Sequence, residues 1–450
     1  MSPRGWTADP VAGAAEKIGR ELCRTAVWDA ERRHCNWMSL ADVEDPVAGG
    51  FSTALIALYA PLYGGSAGVA LFLGELAALT GDAAARKTAA GALRRSVHHL
   101  RVRKSPATAL SFYTGTLGVA AAGRRLTELG VIDEADVDVP WLLAQAEDAI
   151  AAEHPLDLIG GCAGAVSALL WLAPRTGLEE RCMALARDCV NEICEAAEWE
   201  EDACGWNAAR ATGHAMDAPP LTGFSHGTSG MALALLELHA RTGDPRLLRT
   251  ARGAFAYEDR WFSAAAGNWV DLRSSHSREG GEPRGAMQGA WCHGAPGIAL
   301  ARARATQLDP ERAREHGRMA RIALDTTVDI VRARQERPGA DATLCHGLGG
   351  LSEILLIGAG LLGEPRYADE ARETARLLAE RHSTASDWPC GSSTGEPNPA
   401  FLIGTPGIGH HFLRVTSPGE VEPVLLLNTA APAAVWAAEA GTARALAGVG

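Results

Sequence analysis

The feature that most constrains the fold is a short motif, Gly-x-x-Gly followed by an apolar run, that recurs along the whole chain. Successive first glycines lie 50, 46, 66, 67, 53 and 57 residues apart. After each motif alanine and leucine dominate and apolar residues recur at helical spacing, which predicts a helix rather than a strand. A repeat of about fifty residues accommodates two helices and their loops, so each is predicted to be a helical hairpin. The seven motifs are Gly65–Gly68, Gly115–Gly118, Gly161–Gly164, Gly227–Gly230, Gly294–Gly297, Gly347–Gly350 and Gly404–Gly407.

The ends of the repeat array favour a closed ring. An open solenoid needs polar capping repeats at its ends, but the last motif is as apolar as the first, and an Ala-rich stretch predicted to be helical, Thr429–Gly450, ends the chain. We therefore predict an all-α fold, an α/α toroid in which inner and outer helices form a double ring. Residues 46–450 are expected to form this toroid, and residues 1–45 a helical lead-in. The glycines are expected to provide positive φ angles and close packing at the helix starts.

Composition excludes several classes of protein. The net charge is −12 and the sequence pI is about 5.6, with no basic run, so a nucleic-acid partner is not expected. No stretch of 18 apolar residues predicts a membrane-spanning helix, and residues 1–20 lack the pattern of a secretory signal. Ten cysteines in 450 residues are too few for a disulfide scaffold. A cytoplasmic location with reduced thiols is therefore expected.

The positions just before the motif glycines carry metal-ligand residue types. Repeats four, five and six have His226, His293 and His346 directly before the first glycine, and repeats five and six have Cys292 and Cys345 one position earlier. Because equivalent positions of adjacent repeats lie side by side in a ring, Cys292, Cys345 and His346 are expected to converge. Two thiolates and an imidazole suit Zn²⁺, and three protein ligands leave a position open for catalysis. The alternative is that these are small residues buried at tight helix starts.

Two further residues are candidates for acid–base chemistry. His226 has no cysteine beside it. Because histidine is the residue type best suited to proton transfer at physiological pH, we predict a general acid or base, although a packed or solvated histidine is the alternative. Asp157 lies four residues before the glycine of its repeat and is a candidate to orient or polarise that chemistry. A cap or loop aspartate is the alternative there. The other cysteines show no partner pattern, and most of them are expected to be core residues.

These motifs resemble those of the lanthionine synthetase C-like cyclases, zinc enzymes with an α/α toroid that make thioether rings in lanthipeptides. The resemblance runs from about Asn36 to Asn428 and includes Trp-Cys-His-Gly-Ala-Pro-Gly, Cys-His-Gly and Ser-His-Gly. It implies that the zinc ligands are Cys292, Cys345 and His346, that His226 is the acid or base, and that Asp157 is a second active-site group. The details closest to the cyclase half of class II synthetases are Pro61-Leu-Tyr63, Asn268-Trp-Val-Asp-Leu-Arg273, Trp291-Cys-His293, Gly407-Ile-Gly-His410 and Leu425-Leu-Leu427.

The chain also departs from the family in places. Nisin-type cyclases carry an Arg four residues before the first zinc Cys and a Tyr after it, where this chain has Gln288 and His293. Roles attached to those two positions are therefore not carried over. No dehydratase domain of the kind found in class II synthetases fits before residue 36, so a stand-alone cyclase or an excised domain is expected.

The resemblance implies a reaction and its partners. Cysteine thiols of a dehydrated precursor peptide, leader plus core, would add to dehydroalanine or dehydrobutyrine of the same peptide, as in antibiotic biosynthesis. A separate dehydratase or kinase/lyase enzyme would prepare that peptide. One alternative is a LanC-like enzyme that adds glutathione to dehydroamino acids in proteins. Another is a helical binding scaffold with structural zinc, in which His293 or Cys390 would complete the coordination sphere.

Overall fold

The computed structural model describes residues 9–44, 51–102, 110–279, 282–382, 388–390 and 398–427. Within these residues the helices are α1 (Pro10–Thr25), α2 (Ser66–Thr80), α3 (Ala83–Val102), α4 (Thr116–Glu128), α5 (Val139–Ile150), α6 (Cys162–Thr176), α7 (Glu179–Glu195), α8 (Ala208–Thr212), α9 (Thr228–Thr242), α10 (Pro245–Asp259), α11 (Ala295–Leu308), α12 (Ala313–Gln335), α13 (Leu348–Leu362), α14 (Pro365–Arg381) and α15 (Thr405–Thr416).

An inner ring is formed by α2, α4, α6, α9, α11, α13 and α15, each of which begins directly after the first glycine of a motif. These helices are buried on almost every side, which explains why they are apolar all round rather than amphipathic. Each contacts the next one along the chain, and α15 contacts α2, so the ring is closed. The predicted all-α toroid of helical hairpins is therefore confirmed.

An outer ring surrounds the inner one. Helices α3, α5, α7, α10, α12 and α14 each pack against the inner helix that precedes them, while α1 packs against α15. The N-terminal helix thus occupies the outer position of the seventh hairpin. A helix was also expected in the C-terminal stretch 429–450. That stretch lies outside the described residues. Helix α1 is capped by Asp9, and Ile18 and Leu22 lie on its buried face.

Short antiparallel hairpins connect the helices, and here the structure differs from the sequence-based expectation of helices and loops alone. Residues 1–45 were expected to form a helical lead-in, but after α1 the chain enters strands β1 to β3, where Trp37 is buried and its Nε1–H donates to Leu22 O at 2.9 Å. Most strands are too short to show alternation in the sequence. The pairs are β1 (Val27–Trp28) with β2 (Cys35–Asn36), β3 (Met38–Glu44) with β4 (Phe51–Ala57), β5 (Glu198–Glu200) with β6 (Ala203–Gly205), β7 (Phe262–Ser263) with β8 (Asn268–Trp269), and β9 (His276–Glu279) with β10 (Glu282–Gly285).

The motif glycines allow close packing more than unusual backbone angles. Among the first glycines of the motifs, Gly294 has a positive φ of 86°, whereas the others are extended, so the expected positive φ holds at one position. The second glycine of each motif lies against the carbonyl oxygen of the residue six positions earlier, and a Cβ there would overlap it. These glycines are Gly68, Gly118, Gly164, Gly230, Gly297, Gly350 and Gly407.

The segment after α15 crosses the interior of the ring. Val424 O accepts a hydrogen bond from Tyr113 Oη at 3.0 Å, and Leu425 O accepts one from Trp291 Nε1 at 3.1 Å. Because Tyr113 and Trp291 belong to the second and fifth repeats, this segment connects the motif loops of two distant repeats. No helix within the described residues is long and apolar enough to cross a membrane.

Candidate functional site

The loops that precede the motif glycines are joined around the ring by main-chain hydrogen bonds. In each case an N–H of one loop donates to a carbonyl oxygen of a neighbouring loop. The donor–acceptor pairs are Tyr63–Tyr113, Leu402–Tyr63, Cys345–Leu402, Trp291–Cys345, Ser225–Cys292 and Leu158–Ser225, with N···O distances of 2.8 to 3.2 Å. These bonds fix the register of the repeats, so that side chains at equivalent motif positions meet at one end of the ring.

Cys292, Cys345 and His346 form a cluster at this end. Their sulfur and nitrogen donor atoms all lie within 4.8 Å of one another, and Cys345 Sγ is 3.4 Å from His346 Nε2. Both cysteines are buried, while His346 is exposed. Tyr63 Oη donates a hydrogen bond to Cys345 Sγ at 3.2 Å. This donor set fits a zinc ion, because Zn²⁺ prefers tetrahedral sulfur and nitrogen ligands and three of them leave one position open.

The charges within the cluster also favour a cation. Hydrogen bonds from Cys345 and His346 outweigh burial and lower the pKa of Cys292 well below its usual value. The same contact with Cys292, together with burial, raises the pKa of Cys345 well above its usual value. The pKa of His346 is raised, chiefly by its hydrogen bond to Cys292. In the absence of a metal the two thiols therefore compete for one negative charge, which a bound cation would allow both to carry.

His226 and Asp157 form a pair beside this cluster. His226 Nδ1 lies 2.6 Å from Asp157 Oδ2, and the other oxygen of Asp157 accepts a hydrogen bond from Gly160 N–H at 2.8 Å. Asp157 is 1% exposed, whereas the His226 side chain is 27% exposed. The carboxylate thus fixes the ring and accepts the Nδ1 proton, which leaves Nε2 available for proton transfer with a ligand.

His293 connects the pair to the cluster. Its ring stacks on that of His226 with the centroids 5.7 Å apart, and it directly follows Cys292 in the chain. Burial lowers the pKa of His293 to about 4, so its ring is neutral at pH 7. Neither His293 nor Cys390, the two residues considered as a fourth ligand, belongs to the group of close donor atoms among the described residues. Cys390 instead donates a weak hydrogen bond to Trp388 O at 3.5 Å.

The structure adds two residues to which the sequence assigned no role in the site. Tyr63 comes from the first repeat, where it occupies the same position relative to the glycine as Cys345 does in the sixth. Arg273 is held by Asp271 through contacts of 2.9 and 2.7 Å, and its charge contributes to the lowered pKa of His293 after burial. Alignment of the repeats would have placed Tyr63 here, whereas Arg273 lies in an insertion between β8 and β9 that follows no repeat pattern.

Comparison with known proteins agrees with this architecture. The family model described as lanthionine synthetase C-like protein matches residues 58–426. Among solved structures, nisin cyclase is similar over 80% of this chain and 90% of its own, with a TM-score of 0.59 and 18% identity, which shows a shared fold. A sugar epimerase from a ruminal bacterium aligns over 91% of this chain and 99% of its own, with 10% identity and a TM-score of 0.45, a likeness too distant to bear on function. The family match covers most of the chain, and the chain therefore belongs to the lanthionine synthetase C-like protein family.

Proposed function

We propose that this protein is a zinc-dependent lanthipeptide cyclase. In the proposed reaction the thiol of a peptide cysteine adds across the Cα=Cβ bond of dehydroalanine or dehydrobutyrine in the same peptide. The S–Cβ bond forms, the π electrons move toward Cα, and Cα takes up a proton, so that no group leaves. The product is a lanthionine or methyllanthionine thioether ring.

The observation that carries the proposal is that a cluster of metal-ligand side chains and a histidine–aspartate pair lie close together at one end of the ring. The cluster of Cys292, Cys345 and His346 has the donor set of a metal site with an open position, and the His226–Asp157 pair has the geometry of a proton-transfer site. His293 follows one and stacks on the other, which keeps them adjacent. A thiol addition requires these two functions together, because the sulfur must lose a proton and the α-carbon must gain one.

The cluster prepares the nucleophile. A free thiol has a pKa of about 8.5 and is mostly protonated at neutral pH. Zinc held by Cys292, Cys345 and His346 would bind the substrate sulfur as a thiolate and leave it nucleophilic. The Tyr63 hydroxyl donates to Cys345 Sγ and so orients this ligand, as hydrogen-bonding partners of metal ligands commonly do.

The His226–Asp157 pair handles the proton. Asp157 holds the ring through Nδ1 and stabilises its protonated form, so that Nε2 can deliver a proton to the α-carbon of the adduct. The buried carboxylate also fixes the direction from which that proton arrives, which favours one configuration at the new stereocentre. Holding both reacting ends of the peptide in one site adds the usual gain from proximity.

We further propose that the substrate is a dehydrated precursor peptide with leader and core segments, made by a separate dehydratase or kinase/lyase enzyme. The motif details that resemble class II synthetases, such as Trp291-Cys-His293, support a relationship to that class. The site accommodates His293 because its ring is neutral and stacks on His226, rather than lying among the metal donors.

The deciding experiment offers the zinc-loaded protein two substrates. The first is a dehydrated peptide that contains one cysteine, and the second is a dehydrated peptide without cysteine, supplied with glutathione. Cyclisation leaves the mass unchanged, so free thiols are counted by alkylation and mass spectrometry, whereas glutathione addition increases the mass. We expect rapid thiol loss with the first peptide, compared with an enzyme-free control and with the His226→Asn variant.

The outcomes separate the alternatives. Glutathione addition to the second peptide without cyclisation of the first would replace the proposal by a glutathione-adding activity. Zinc binding without any acceleration of either reaction over the enzyme-free control would indicate a binding scaffold and contradict the proposal.

A further inference from the structure

A second cluster of metal-ligand side chains lies behind the loop that carries Asp157. His154 Nε2 is 3.2 Å from Cys162 Sγ and 3.2 Å from Glu192 Oε2, and the three donor atoms lie within 4.8 Å of one another. His154 comes from the loop after α5, Cys162 begins α6, and Glu192 lies on α7. His154 and Cys162 are buried, and the Glu192 side chain is 31% exposed. These distances are similar to the 3.4 Å between Cys345 Sγ and His346 Nε2 in the first cluster.

The surroundings orient these side chains as ligands. His154 Nδ1 lies 2.7 Å from Ala152 O, so its Nδ1–H donates to a carbonyl and Nε2 faces the other donor atoms. Glu192 accepts a hydrogen bond from Arg210 Nη2 at 3.0 Å, and Arg210 also donates to His154 O. Metal-bound histidines usually donate their second N–H to a carbonyl or carboxylate, and metal-bound carboxylates are themselves hydrogen-bonded. This cluster has both features.

A fourth donor is available on α7. Cys189 precedes Glu192 by three residues, which places both on the same face of the helix. The Cys189 side chain is fully buried and hydrogen-bonds with Cys162, raising the pKa of that thiol together with burial. The resulting set of two sulfurs, one nitrogen and one oxygen suits Zn²⁺, whereas Mg²⁺ and Ca²⁺ prefer oxygen ligands alone.

We propose that His154, Cys162 and Glu192 form a second zinc site, structural in role and separate from the candidate catalytic site, and that Cys189, whose thiol lies outside this group of close donor atoms, approaches the bound ion as the fourth ligand. Four protein ligands close the coordination sphere, which is the arrangement of structural zinc. His154 and Cys162 lie at the two ends of the loop that contains Asp157. The bound ion fastens this loop to α7 and so holds the carboxylate in place against His226.

The test begins with a full-length Cys292→Ala/Cys345→Ala double variant, which lacks both thiols of the first cluster. It is loaded with zinc under reducing conditions, dialysed against a weak chelator, and its zinc is counted by elemental analysis. We expect the wild type to keep about two zinc ions per chain and the double variant about one. A double variant without zinc, while the wild type keeps one, would overturn the proposal.

Further substitutions in the double variant show which residues bind the remaining zinc ion. Cys162→Ser or Cys189→Ser should remove it, while Cys182→Ser, which alters another buried thiol of α7, should keep it. Glu192→Gln, at a partly exposed position, is expected to weaken retention without unfolding the chain, and exposed Glu195→Gln on the same helix is its control. Retention equal to that of the controls in all three ligand variants would contradict the site.

A spectroscopic readout reports the ligands directly. Co²⁺ added to the double variant should give a thiolate-to-cobalt charge-transfer band that disappears in the Cys162→Ser form, with helical content measured by circular dichroism as a control for folding. No such band in the folded double variant, or recovery of Cys162 and Cys189 as a disulfide with no metal bound, would overturn the proposal.

Discussion

The Asp157 carboxylate lies 2.6 Å from the His226 imidazole, although 69 residues separate them in the chain. They belong to the third and fourth repeats, whose motif loops are joined by the main-chain hydrogen bond from Leu158 N–H to Ser225 O at 3.1 Å. Asp157 is also held by Gly160 N–H, so the backbone fixes both members of the pair. The pair is therefore preorganised for a substrate.

His226→Asn is expected to slow cyclisation by about 10²- to 10⁴-fold, the usual contribution of a general acid or base. Zinc content and helical content should stay unchanged, because the residue does not belong to the metal cluster. Loss of stereochemical control at the α-carbon is also expected, since the proton would no longer arrive from one fixed direction. The measurement is a thiol-consumption rate corrected for the enzyme-free reaction, with chiral analysis of the product. A normal rate and a single stereoisomer would show that His226 serves packing.

Asp157→Asn keeps the size of the side chain but removes its negative charge. The amide cannot carry the negative charge that pairs with a protonated His226 ring, so a slower rate is expected. A smaller effect than that of His226→Asn is expected, because the imidazole itself remains. An unchanged cyclisation rate would show that Asp157 contributes only as a loop residue.

Replacement of Cys292, Cys345 or His346 by alanine is expected to reduce zinc content by about one ion per chain. Two remaining donors are too few to retain the ion against a chelator. The matched control is Cys390→Ser, which alters a buried thiol outside the cluster and should keep the metal. Full zinc content in any two of the three alanine variants would reject the ligand assignment.

The sequence predicted the ring because the glycine motifs mark every inner helix, and the main-chain bonds between loops keep equivalent positions in register. Alignment of the repeats on those glycines is therefore sufficient to bring Cys292, Cys345 and His346 together. The placement of α1 beside α15 could not be predicted in the same way. The amphipathic helix α1 has an apolar face that fits the open outer position beside α15, and only tertiary packing brings it there.

The sequence could not predict a cluster of side chains that come from different elements of a repeat. His154, Cys162 and Glu192 come from a loop, a helix start and an outer helix, so their spacing in the chain carries no metal-ligand pattern. The cysteines there were interpreted as core residues, and their burial agrees with that interpretation. Their contact with His154 and Glu192 becomes visible only when α6 packs against α7.

The close contact between the motif glycines and backbone carbonyl oxygens predicts that alanine has opposite effects on stability at two glycines of one helix. Gly350 of α13 lies against Leu344 O, whereas a Cβ at Gly360 of the same helix meets nothing within 4 Å. Gly350→Ala is expected to destabilise the protein by about 1–3 kcal/mol through overpacking, while Gly360→Ala should stabilise it by up to about 1 kcal/mol. Urea unfolding with a chelator present measures both without a contribution from metal. Equal midpoints for the two variants would contradict the proposed reason for the motif.

A buried ion-pair network between α13 and α15 leads to the last prediction. Glu353 accepts hydrogen bonds from Arg414 Nε at 2.8 Å and His411 Nδ1 at 2.9 Å, and all three side chains are buried. His411 also contacts Ser352 Oγ at 2.8 Å. The network ties the last inner helix to its neighbour, close to the point where the ring closes on α2.

Glu353→Gln is expected to destabilise the protein by about 3–5 kcal/mol at pH 7, because it leaves the buried Arg414 without its counter-charge. Burial would raise the pKa of Glu353, but the charge of Arg414 and the His411 hydrogen bond lower it to about 2. In the unfolded chain a glutamate has a pKa of about 4.3. The stabilisation is therefore complete above that value and is lost as the pH falls from about 4 toward 2.

Urea unfolding measured across this pH range checks the prediction, because Glu353→Gln should lack this component of the pH dependence. The control is Glu380→Gln, in an exposed pair with Arg376, which should lower the free energy of unfolding by less than about 1 kcal/mol. Equal losses in the two variants would show that the network adds nothing to ring closure.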